Sequence, residues 1–175
     1  MHVQIKHVLN ERAKAILSAG PGCASAVIPK SLNDWICNAT FHGEYFLGPQ
    51  EATDKQIGLA LETYKDPFSI ETFLNKVHLE DDAPDLGFEM IYYIQIYFSA
   101  CDYFGRYLIS NNIKKPLLLC YSTDADDPAS EYPSHTMKFG FPRTGDDYYY
   151  LNVDSYRANA FVGTLVTVSD NNLEL

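Results

Sequence analysis

The sequence predicts an α+β domain, with N-terminal helices packed on a C-terminal antiparallel sheet. Three observations carry this expectation. Up to residue 110 the apolar residues recur mostly at helical spacing, and beyond "NNIKKP" (111–116) they fall in short, strand-like runs. No repeat, low-complexity tract or linker divides the 175 residues, so one domain is expected.

The elements follow in order. Residues 3–18 place Val8, Leu9, Ala13, Ile16 and Leu17 at roughly helical spacing, and Gly20-Pro21-Gly22 breaks the segment. Pro29 opens the next stretch, Ser31 suits an N-cap, and Leu32, Trp35, Ile36 and Ala39 share a face, giving a helix over about 31–40. "HGEYFLGPQ" (42–50) returns to loop or short strand. Thr53 and Gln56 have capping-box spacing ahead of Ile57, Ala60, Leu61 and Tyr64. Ser69 repeats the device before Ile70, Phe73, Leu74 and Val77, and "EDDAPD" (80–85) reads as a solvated acidic loop.

Residues 88–110 are the strongest helix candidate. Met90, Ile94, Tyr97, Phe98, Cys101, Phe104, Gly105 and Leu108 keep to one side, with Glu89, Ser99 and Arg106 elsewhere. "MIYYIQIYF" (90–98) is also rich in strand-forming residues, but the length of the pattern favours a helix. Four strands are then expected: "LLLCYS" (117–122), "MKFGF" (137–141), "DYYYLNV" (147–153) and "AFVGTLVTVS" (160–169).

Composition narrows the function classes. Hydrophobic content of 46% supports a substantial core, and 13 Tyr suit both a core and a contact surface. The net charge of −10 is uneven: residues 51–100 hold 10 acidic and 3 basic groups. Such a surface repels phosphate, which argues against nucleic-acid binding, and it attracts a basic partner. The run at 90–101 is too short to span a bilayer and the N-terminus lacks signal-peptide order, so no membrane partner and a cytoplasmic location are expected. Cys23, Cys37, Cys101 and Cys120 form no C-x-x-C pair and read as reduced, buried thiols.

Catalytic and cofactor motifs are missing. The five histidines form no metal-hydrolase spacing, and no phosphate-cradling or nucleophile-elbow motif occurs, so neither cofactor nor metal is expected. "TDADDPASEYPSH" (123–135) has the oxygen density of a calcium loop but lacks Gly at its sixth position and Glu at its twelfth. A hydrolase or transferase reading rests on His42 with Glu44, or on His135; Cys101 forms a dyad with His78 or His135 only if the fold joins them. A third reading is an inhibitor that mimics nucleic acid with the acidic segment 51–89.

"TGDDYYYLNVD" (144–154) is the most distinctive stretch. Gly145 suits a turn, and strand alternation sends Tyr149, Leu151 and Val153 to the core. Tyr148 and Tyr150 then stand on the other face beside Asp146 and Asp154, as a recognition patch or packed under a helix.

The order "FGFPRTGDDYYYLNVD" (139–154) followed by "AFVGTLVTVSD" resembles the SUKH superfamily, in which a proline step and a Gly-Asp turn precede an aromatic-rich strand. "VIPKSLNDW" (27–35) is similar to that family's proline-led helix, and "DADDPASEYP" (124–133) to its Asp-Pro stretch. The turn here has a single glycine where the family often has several, and 51–110 lies outside the resemblance. The resemblance implies an α+β fold, no catalysis, and a role as an immunity protein that neutralises a toxin, often a nuclease. The expected contact residues are Asp146, Asp147, Tyr148, Tyr150 and Asp154, aided by Asp124, Asp126, Asp127 and Glu131. The expected partner is a basic toxin domain. Nothing in the sequence sets the oligomeric state.

Overall fold

A computed structural model describes residues 1–19, 26–49, 54–82, 90–124, 134–156 and 159–170. Its frame is a five-stranded antiparallel sheet of order β1-β7-β5-β6-β4, from His2–Leu9 (β1), Lys76–His78 (β4), Leu117–Thr123 (β5), His135–Gly140 (β6) and Ala160–Ser169 (β7). A separate hairpin joins Thr40–His42 (β2) to Tyr45–Leu47 (β3). The helices are Glu11–Ala19 (α1), Lys30–Cys37 (α2), Asp54–Thr63 (α3), Pro67–Leu74 (α4), Leu79–Asp82 (α5) and Met90–Ser110 (α6). The α+β class follows directly. Among the described residues no helix is long and apolar enough to cross a membrane.

The N-terminus departs from the helical expectation. Residues 2–9 form a strand paired along its length with β7. Val3, Ile5 and His7 are half-buried and alternate with exposed His2, Gln4 and Lys6, a period of two that pairs with β7. The helix begins only at Glu11, where the side chain of Asn10 accepts the Ala13 N–H at 3.0 Å as an N-cap.

α6 is a helix throughout, because the tertiary core covers most of its circumference. Tyr93, Ile94, Ile96, Tyr97, Ala100, Cys101, Phe104 and Leu108 are all buried against one face of the sheet. Each fully buried large side chain there contributes about 1.5–3 kcal/mol relative to exposure. Ser99, expected to point outward, is buried and donates to the Ala26 carbonyl at 2.7 Å. The capping of α4 also differs: Asp66, not Ser69, is the N-cap, its carboxylate accepting the Ser69 N–H at 2.7 Å, with Pro67 in the first turn. Gly20-Pro21-Gly22, the Thr53 cap and Glu89 lie outside the described residues.

The largest correction concerns 147–153, which is not a strand. Gly145–Leu151 and Val153–Ser155 are 3-10 turns. The buried positions are Asp147, Tyr150 and Val153, with 8%, 6% and 5% exposure. That spacing of three is the repeat of a 3-10 helix, whose residues i and i+3 eclipse. Tyr149, expected inside, is 39% exposed, and Tyr150, expected on the open face, is in the core. The strand implied at this point by the family resemblance is therefore absent.

Candidate functional site

The sheet has two unlike faces. Leu117, Leu119, Tyr121, Met137, Phe139, Val162 and Val166 face α6, whereas Leu118, Cys120 and Phe161 face a smaller second cluster with Phe68, Tyr150 and Val153. β-strand alternation alone sorts these residues. α4 and the 3-10 segment cover the second face, and two glycines let them come close. A Cβ on Gly163 would lie 2.0 Å from the Tyr150 carbonyl oxygen, and one on Gly140 would lie 3.0 Å from Phe68 and from Glu71.

Buried polar bonds fix these coverings. Glu71, fully buried, accepts the Phe46 N–H at 2.8 Å and the Phe141 N–H at 2.6 Å, and pairs with the Arg143 guanidinium at 2.6 Å. Asn75 accepts the Gly48 N–H and donates to the Phe46 and Phe139 carbonyls. At the other end Asn10 donates to the Tyr156 and Asn159 carbonyls and accepts the Phe161 N–H, so one amide holds the approach to β7.

Between the 3-10 segment and the sheet remains a pocket of about 290 Å³. Cys120, Ser122 and Lys138 form its strand-built floor, with Cys120 directly opposite Lys138 in register. Tyr150, Tyr156 and Phe161 wall it, and Ser155 and Asn159 stand at the edge. The Tyr156 and Phe161 rings are stacked at 3.9 Å, 4° from parallel. Burial pushes the Cys120 thiol and the Tyr156 hydroxyl each up to about 12, and drives Tyr150 upward as well. All three therefore stay protonated at neutral pH.

The expected contact residues divide. Tyr148 is half-buried and Asp154 exposed, so both remain at the surface next to exposed Tyr149. Tyr149 rests edge-on against Phe68 at 5.7 Å and Tyr150 at 4.5 Å. Asp147 is a turn residue: its carboxylate accepts the Arg143 and Thr144 N–H groups at 2.6 and 2.8 Å. Asp124 likewise accepts a backbone N–H, that of Ser134, at 2.7 Å. Tyr150 and Asp147 are thus buried scaffold rather than open contact surface. Asp126, Asp127, Glu131 and the side chain of Asp146 lie outside the described residues.

The catalytic alternatives are not assembled. His42 and Glu44 are exposed on the β2–β3 hairpin, whereas His135 is fully buried, stacked on Tyr93 at 3.9 Å with Nδ1 2.8 Å from the Tyr121 hydroxyl. Burial lowers the His135 pKa, against the opposing charges of Glu80 and Asp124. Glu80 meets His78 at 3.2 Å and accepts the His135 N–H at 3.0 Å. Both Glu80 and Ser134 approach the same His78 nitrogen, so these three form no proton relay. Cys101 is pushed up to about 12 by burial, and its partners are Tyr97 and Thr164 rather than a histidine. Cys37 is exposed, contrary to expectation, while Cys23 lies outside the described residues. Among the described residues no group of three or more His, Cys, Asp or Glu is placed to hold a metal.

Lys138 and Ser122 did not stand out in the sequence. The available signal was a single lysine inside "MKFGF", a cation set between residues bound for the core. Comparisons with protein-family models, curated proteins and solved structures find no match for the chain.

Proposed function

We propose that this chain is a non-enzymatic, acidic binding protein of the cytoplasm, acting as an immunity protein that occludes a basic toxin domain. The observation that carries the reading is the placement of Tyr149. It is a large aromatic, 39% exposed, on a short 3-10 platform braced by Phe68 and Tyr150, with Tyr148 and the exposed Asp154 in the same segment. A braced tyrosine supplies contact area with little entropy left to lose, and the net charge of −10 steers a basic partner inward. The toxin assignment, with a nuclease as the expected activity, rests on the resemblance of 139–154 to the SUKH superfamily.

The test is affinity capture from the source cell, followed by binding kinetics with the purified captured protein. A basic toxin should be recovered. Tyr149→Ala should speed dissociation by at least about tenfold, a loss of about 1.4 kcal/mol. Asp154→Lys should slow association and flatten its salt dependence. Unchanged rates in both variants would remove this surface from the interface. Recovery of nucleic acid or of a processed substrate instead would overturn the reading as a whole.

A further inference from the structure

We propose that the pocket over β5 and β6 binds a small organic monoanion with a flat apolar body, an aromatic carboxylate in chemical class, with Lys138 as its counter-ion. Lys138 lines the pocket, and among the described residues its ammonium has no ion pair or hydrogen bond. Ser122, two residues beyond Cys120 on the same face of β5, stands within the same pocket, and among the described residues its side chain has no hydrogen bond.

The remaining walls select the ligand's body. Tyr156 and Phe161 lie nearly parallel in their stack, and the Tyr150 ring is 6.1 Å from Phe161, so the pocket offers aromatic surface beside one cation. A planar ring fits against such surface by offset or edge contact. Cys120 and the two tyrosines stay neutral, which leaves Lys138 as the pocket's one charged lining residue among those described. A single lysine matches one carboxylate better than a phosphate dianion, which recruits several cations or a row of backbone N–H groups. The volume of about 290 Å³ stands at the small end of ligand sites and suits one or two fused rings. The site is also held ready: Asn10 fixes the backbone of Tyr156, Asn159 and Phe161, and Gly163 seats Tyr150 against β7. Fixed walls lower the ordering cost of binding.

This inference is independent of the toxin reading and needs no protein partner. The probe is 2-naphthoate, titrated into the isotope-labelled full chain and followed by amide chemical shifts, with neutral 2-naphthamide as control. Saturable shifts should appear at Cys120, Ser122, Lys138 and Phe161 with a Kd below about 1 mM, and 2-naphthamide should bind at least about tenfold more weakly. Lys138→Met should weaken naphthoate by at least about tenfold, whereas Lys138→Arg should keep it within about threefold. Should Lys138→Met not fold, the acid–amide comparison on the unaltered chain decides alone. Absence of saturable shifts up to about 5 mM, equal binding of acid and amide, or undiminished binding by a folded Lys138→Met overturns the proposal.

Discussion

The carboxylate of Glu71 meets the guanidinium of Arg143 at 2.6 Å, and the same carboxylate caps two backbone N–H groups from different parts of the chain, Phe46 and Phe141. One α4 side chain thereby ties the β2–β3 hairpin to the end of β6. Glu71 is fully buried, so its charge is tolerable only because every oxygen is engaged.

Removing it should be costly. Glu71→Ala leaves two buried N–H donors without a partner and strips Arg143 of its counter-ion, and should lower stability by about 3–5 kcal/mol. Chemical denaturation against Lys14→Ala, which breaks only an exposed i, i+3 pair, supplies the comparison. A loss below about 1 kcal/mol would mean that the Glu71 network does not hold the fold.

Gly163 is a position of close approach rather than of unusual backbone angle. Gly163→Ala would drive a methyl to 2.0 Å from the Tyr150 carbonyl oxygen, which is backbone and cannot swing aside. The 3-10 segment should lift from the sheet at a cost of about 1–3 kcal/mol or more, and Cys120 should become reactive toward thiol reagents. A variant with unaltered melting temperature and a still-protected Cys120 would contradict the packing.

Acid should weaken the native state through His135. Burial holds its pKa below the ordinary 6.5, so the unfolded chain takes up a proton more readily than the folded one. Stability from the neutral ring is complete above about pH 6.5 and is lost as pH falls from there toward the lowered native value. His7, half-buried beside Phe98, is lowered by the same desolvation against the charge of Asp102 and adds to the same slope. Thermal melts between about pH 7.5 and 5 should therefore be shallower for His135→Gln than for the parent. Equal slopes would assign the acid sensitivity to other groups.

Cysteine labelling should be selective. Cys37 is exposed, whereas Cys101 and Cys120 are buried with thiols pushed up to about 12. Iodoacetamide on the native protein, read by peptide mass mapping, should modify Cys37 and spare Cys101 and Cys120 until denaturant is added. Rapid native labelling of Cys120 would show the second face to be open.

The α+β class, helices over 30–37, 67–74 and 90–110, and the strands at 117–123, 135–140 and 160–169 were legible in the residues alone to within a few positions. These segments carry apolar patterns long or sharp enough to stand without knowledge of their neighbours. Tertiary structure decided β1, whose alternating residues needed β7 as a pairing partner, and β4, three residues that gain strand geometry only beside β6. It also decided "TGDDYYYLNVD". Periods of two and three can each be laid over three adjacent tyrosines, and only the backbone contact at Gly163 and the turn closed by Asp147 select the latter. Tyr149 is thereby turned outward and Tyr150 inward, and a pocket forms around Lys138 from β5, the 3-10 turns and the start of β7. Contacts at that sequence separation leave no local pattern to read, because each residue's neighbours are set by the path of the chain and not by its flanking residues.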